Sequence, residues 1–353
     1  MVLILAVVAT CQQTLVVGSG GAFTDIQSAI NAAVPGDTVL VQGGTHSAFL
    51  NVDKGIALVG QNAILSGGLF QETTVANVPA GQVFSMSGFQ ADASGTDVLI
   101  DVVDCDGIVA IANLSQGGLQ QWWIKATNAA QFHLTGSIVR SVNLLESNSV
   151  VTSTNFDPVL FHGLRIEGGR TAIVRCTIRG GNGTFPGPAI LLMSGVLALS
   201  RGSASATGFS VFSHPAISTS GGAVLLDPST ALSSTGGQPL IGGPATVVPF
   251  PFASVTAASN GTTLTTEMHG LAGHGFAVFA GLPAAQLDTP LGLLWLDPNN
   301  YALLELGIVP ASRLVQSSFT QPPTLLGFPL AVQAIEFGVG SMKLSSPTLV
   351  VSP

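Results

Sequence analysis

Charge is scarce in this chain of 353 residues: Asp, Glu, Lys and Arg make up only 8% of it, against about a quarter of an ordinary soluble domain. Three lysines occur and the net charge is −8. A nucleic-acid-binding surface needs clustered Lys and Arg to displace phosphate counterions, so that class of partner is excluded. Long apolar runs are also missing. Hydrophobic residues reach 46%, yet beyond the N-terminus none extends to the ~18 residues of a membrane span. Instead 43 glycines and 20 prolines cut the apolar sequence into runs of about four to eight residues, the pattern of buried strands between turns. Cysteine is rare as well. Past Cys11 only Cys105 and Cys176 remain, both on apolar strand faces, which favours core filling over a disulfide.

The first residues, "MVLILAVVAT", precede Cys11. Residues 1–13 read as a signal-like segment without the usual positive start. Thr10 stands where a lipid-bearing cysteine normally follows Ala or Gly. Low charge, Ser/Thr-rich turns and this apolar start together lead us to expect a secreted or cell-surface protein.

One convincing helix signal follows, in "FTDIQSAINAAVPGDTVLVQ" from Phe23 to Gln42. Ile26, Ala29, Ile30 and Ala33 form one apolar stripe, and Thr24 with Gln27 fits a capping box. Pro35 ends the helix and Pro35-Gly36-Asp37 turns the chain into a strand. From there to residue 248 strands follow one another without helices, as in "GIVAIAN", "QWWIKA" and "RTAIVRCTIRG". In the last of these, Ala172, Val174, Cys176 and Ile178 share one face, expected inward, with Arg175, Thr177 and Arg179 opposite. An inward apolar row, an outward polar row and frequent turns are what parallel coils stacked into a solenoid require. No strict repeat aligns, and coils of about 20 to 30 residues fit the spacing.

The opening "FTDIQSAINAAVPGDTVLVQGGTH", followed by "VDKGIALVGQNAIL", resembles the start of right-handed parallel β-helix proteins of the pectin-lyase-like superfamily. Ile26-Gln27, Ala29-Ile30, Pro35-Gly36-Asp37 and the segment Lys54 to Gly60 carry the likeness; His46 stands near a position where tyrosine is usual. The resemblance implies an all-β fold: a right-handed parallel β-helix over 14–248 with an N-terminal capping helix. The helix would cover an otherwise open solenoid end. After Pro244, Pro249 and Pro251 the character changes. About seven strands are expected over 249–353, read as a small β-sandwich accessory domain with Trp295 in its core.

That superfamily hosts several chemistries, each with its own residues. Hydrolases of the polygalacturonase kind need paired carboxylates in recognisable motifs. None is present, and Gly273-His274-Gly275 falls in the wrong domain and order. Esterase motifs are absent too, and His269 and His274 lack zinc-binding spacing. Lyases of the pectate kind bind Ca²⁺ through carboxylates and abstract a proton with Arg or Lys. The nearest set is Asp97, Asp101, Asp104 and Asp106 as a metal site, with Asp101, Arg175 and Arg179 as catalytic candidates. The plainer reading makes the acids solvated outward positions and turn formers. Arg140, Arg165 and Arg170 belong to the same arginine-rich stretch, and guanidinium groups recognise carboxylates bidentately; pairing with Glu167 is the plainer role for Arg165. Of Trp122 and Trp123, one should point in and the other out, where an aromatic ring stacks on sugars or covers apolar surface.

Two functions follow as expectations. The first is a non-catalytic extracellular protein binding polysaccharide or cell-surface glycan through Trp122, Trp123 and Arg165. The second is a divergent polysaccharide lyase or hydrolase acting on an acidic polymer. No cofactor is evident; Ca²⁺ is the one the sequence leaves open. Geometry discriminates: the lyase needs its acids and arginines in one groove.

Overall fold

The computed structural model describes residues 12–67, 72–93, 97–117, 121–158, 162–181, 186–208, 213–249, 253–260, 262–289, 292–321, 329–345 and 347–351. The start of the signal-like segment, with Cys11, lies outside the described residues. Three parallel sheets build a solenoid of about nine turns. A long sheet of eleven strands runs from Thr14–Val17 to Thr246–Pro249, and a second of nine strands from Leu50–Val52 to Ile241–Gly242. A short sheet of five strands runs from Ile138–Val139 to Ala231–Ser233. Within each sheet the strand order follows the chain, so every coil pairs only with the one before and the one after. Coil length varies from 17 residues, where Ser149 lies beside Phe132, to 28, where Ser85 lies beside Ala57. That irregularity is why no strict repeat aligns in the sequence.

What does repeat is backbone conformation at two corners. Asn77, Asp104, Asn128 and Glu146 all have positive φ, and each N–H donates to the next coil, reaching the carbonyls of Val103, Thr127, Leu145 and Glu167. Asn113, Gly136, Ser153 and Arg175 do the same at the junction of the long and short sheets, where Arg201 also has positive φ. One left-handed residue redirects the chain without breaking the ladder, and Asn, Asp and Gly reach that region most cheaply.

Arg175 corrects the expected strand. The segment is two strands, Arg170–Val174 and Thr177–Arg179, with Arg175 (φ 56) at the corner between them. The turn shifts the alternation by one, so Ile173, Cys176 and Ile178 enter the core while Ala172 faces outward. Both cysteines are free and buried, their thiols donating to Val103 O (3.4 Å) and Val174 O (3.4 Å). Burial pushes the Cys176 thiol up to about 12.

The helix spans Ile26–Ala32 and buries Ile26, Ala29 and Ile30 in the first coils. Its cap is Asp25 rather than Thr24. The Asp25 carboxylate accepts from Ser28 N at 2.8 Å, an anion at the positive end of the helix, and these hydrogen bonds lower its pKa. Gln27 does not reach back to the cap. It joins the helix to the coil below by accepting from Asn51 N (2.7 Å) and donating to Asn51 O (3.1 Å). The aspartate of the Pro-Gly-Asp turn is structural: its two oxygens accept from Gln13 N and Val34 N, each at 2.9 Å.

Beyond Pro249 the sheets are antiparallel. One has three strands, Ser254–Ser259, Thr263–His269 and Leu314–Thr320; the other has five, including Gly275–Thr289, Gly292–Ile308 and Pro329–Gly338. Val255 and Met268 of the first share a core with Val278 and Val332 of the second.

This region is docked on the solenoid, which the sequence reading did not anticipate. On the strand Ile108–Ala112, Val109 and Ile111 face the solenoid core, while Ile108, Ala110 and Ala112 pack against Leu296, Ala331, Leu349 and Val351. The outer face of this strand is therefore buried. Trp295 belongs to this seam: its ring meets His133 edge-on, centroids 5.0 Å apart.

Candidate functional site

The outward face of the second sheet carries Trp123, Asp101 and Arg165 among the sequence-predicted groups. Strict alternation on the strand Trp122–Thr127 sends Trp122, Ile124 and Ala126 into the core and Trp123, Lys125 and Thr127 outward. Trp122 is fully buried and donates its indole N–H to Ser115 O at 2.8 Å. It offers no surface to a ligand, which removes it from the carbohydrate-binding set.

Trp123 is half-buried, and its indole N–H donates to Asp97 Oδ2 at 2.8 Å. The same oxygen accepts from Arg140 Nη1 at 2.6 Å, while Asp97 Oδ1 accepts from Gln121 N at 3.1 Å. Asp97 thus fixes the ring of Trp123 by its polar edge, and Arg140 balances the carboxylate. A ring held in this way stacks with little loss of side-chain entropy.

Beside Trp123 a polar row climbs the sheet. Asp101 lies next to Lys125, Lys125 next to Asn143, and Asn143 next to Arg165, one from each of four coils. At the usual strand spacing such a row spans about 14 Å. Lys125 Nζ approaches Asp101 Oδ2 at 3.5 Å, and Arg165 Nη2 donates to Glu167 Oε2 at 2.8 Å, the plainer role expected of it. Asp101 Oδ1, Asn143 Oδ1 and Arg165 Nε have no hydrogen-bond partner. These three atoms are shielded from solvent, and what the row presents next to the aromatic plane is the half-exposed side chains of Lys125 and Arg165.

The four acids do not converge. Asp104 sits at a left-handed corner and accepts from Asn128 Nδ2 at 2.8 Å, and Asp106 is exposed past it. Among the described residues no group of three or more His, Cys, Asp or Glu is placed to hold a metal ion. The catalytic candidates are separated too: Asp101 is on the second sheet, Arg175 at the corner of the long and short sheets, and Arg179 exposed on the short one.

Arg175 has a partner that lay hidden in the sequence, Glu267 of the C-terminal region, 92 residues away. Glu267 also accepts from Gln316 Nε2 at 2.9 Å. Next to this pair burial, then the charge of Arg201, lowers His269 to about 4. A half-exposed pair contributes about 0–1 kcal/mol, and a non-glycine residue in the left-handed region costs about 1–2 kcal/mol. Arg175→Gly should therefore leave stability within about 1 kcal/mol in urea unfolding, since relieved strain offsets the lost pair. A loss beyond about 3 kcal/mol would assign the pair a larger part in docking.

No protein-family model and no curated protein matches this chain.

Proposed function

We propose that this protein is a secreted or cell-surface glycan-binding protein without catalytic activity, using the outward face of its second sheet. We further propose that its coils wind right-handed in the manner of the pectin-lyase-like superfamily, and that its C-terminal region is a β-sandwich accessory domain. The observation that carries the functional reading is Trp123, turned outward and held at its N–H by Asp97 beside the row from Asp101 to Arg165. An aromatic plane edged by carboxylate, amide and cationic groups suits the apolar face and hydroxyl rim of a sugar. The separation of Asp101 from Arg175 and Arg179 favours binding over the lyase reading.

The test is retention of the purified protein on acidic and neutral polysaccharides, with products assayed in parallel, with and without Ca²⁺. Trp123→Ala should weaken retention tenfold or more, a loss of about 1.4 kcal/mol, with the melting temperature nearly unchanged. Equal retention by the variant and the parent protein would sink the proposal. Cleavage of a uronate polymer that stops in Asp101→Ala and under chelation would replace it with the lyase.

A further inference from the structure

Two adjoining cavities, of about 540 and 400 Å³, follow the corner where the second sheet turns into the long one. Both are floored by Gly81 and Val83 of the solenoid and bounded by Pro283 and Ala284 of the C-terminal region. They form one groove across several coils, from Gly36 at one end to Asn148 at the other. Docking of the C-terminal region creates it, and the face that carries Trp123 takes no part in it.

The lining is specific in kind. No Lys, Arg or aromatic side chain contributes to it among the described residues. Gln131 is almost wholly buried; its Nε2 donates to Ala284 O at 2.7 Å, while its Oε1 has no partner. A buried acceptor left without a donor costs about 1–3 kcal/mol, and a ligand hydroxyl would relieve that. Asp106 adds a second acceptor nearby. Gln82 and Asn148 use their carbonyl oxygens on Gly55 N (2.8 Å) and Arg170 N (3.2 Å), which leaves their amide N–H groups as donors. Both donors and acceptors set among apolar Pro and Val surfaces suit a chain of hydroxyl groups on an apolar frame. Asp106 and Asp297, with no cation in the lining, oppose a polyanion.

We infer that this groove is a second binding site, separate from the Trp123 face, and that its ligand is a segment of a neutral oligosaccharide. Titration calorimetry on the full chain would use uncharged hexasaccharides of β-1,4-linked glucose, xylose and mannose and of α-1,4-linked glucose. Hexagalacturonate and an extended uncharged hexapeptide serve as contrasts. At least one neutral sugar should bind, and Ala284→Trp, which narrows the groove, should weaken it tenfold or more. Asp106→Arg, at an exposed position, should do the same without disturbing the docked region, and thermal melts check that both variants fold. Trp123→Ala should leave this binding intact. The inference is overturned if no neutral sugar binds, if binding ignores both groove substitutions, or if only the hexagalacturonate or the peptide binds. Sugar binding lost in Trp123→Ala alone would overturn it while supporting the first site.

Discussion

Trp122→Ala is expected to lower the stability of the protein by about 3–5 kcal/mol, the usual cost of truncating a large buried aromatic residue. Two terms act together. Trp122 is the largest fully buried side chain and shares the solenoid core with Ile100 and Ile124, in strands that neighbour each other in the stack. Its removal leaves a cavity that stacked coils cannot close by sliding, because each strand is hydrogen-bonded on both sides. It also leaves Ser115 O without the indole donor at 2.8 Å. Denaturant unfolding measures the effect as a shift in midpoint at constant slope. Trp122→Phe, which keeps most of the volume, should lose about 1–2 kcal/mol and remain measurable if the alanine variant fails to fold. A loss below about 1 kcal/mol for Trp122→Ala would mean that the ring is not the core element described here. The contrast with Trp123, next in sequence, is large because adjacent residues of a strand point to opposite faces.

That alternation was readable in advance, as were the helix over the first coils, the turn at Pro35-Gly36-Asp37 and the solenoid of single-file strands. All depend on local pattern: period two, period 3.6 and turn residues. The errors were also local in cause. The segment from Thr171 to Arg179 reads as a continuous strand because nothing marks Arg175 as left-handed; arginine rarely adopts φ 56, and its N–H is held there by Ser200 O of the next coil. Thr24 and Asp25 are both good caps, and the choice went to the carboxylate. The candidate site was legible residue by residue, but its assembly was not. That Asp97 would hold Trp123, and Arg140 hold Asp97, depends on coil lengths of unequal size. One long-range signal was present and passed over. "GIVAIA" is apolar on both faces, too apolar for a solenoid strand with a solvated outer side, and its outer face proves to be covered by Ala331, Leu349 and Val351.

His133 provides the strongest test of that docking. It lies on the outer face of the long sheet between Ala110 and Val150 of adjacent coils, fully buried against the edge of Trp295. Neither ring nitrogen has a partner, and burial alone lowers its pKa to about 3. The neutral ring is the form the seam accepts. From about one pH unit above 6.5 upward, His133 is neutral folded or unfolded and has no pH-dependent effect. As the pH falls from 6.5 toward 3, the unfolded chain takes up a proton that the folded seam refuses, so stability is lost at up to about 1.4 kcal/mol per pH unit. His269, lowered to about 4 by burial and then by Arg201, acts in the same direction, so the wild-type profile alone does not isolate His133. The comparison with His133→Leu does. Between pH 7.5 and pH 5 the wild type should lose about 2 kcal/mol more than the variant, read from urea unfolding at each pH. At neutral pH the variant should match or exceed the wild type, because two unpaired nitrogens leave an apolar seam. Parallel profiles would mean that the ring is solvated and the seam open. A divergence of the expected size would show that the C-terminal region covers the solenoid in solution, the condition on which the groove beneath Pro283 and Ala284 depends.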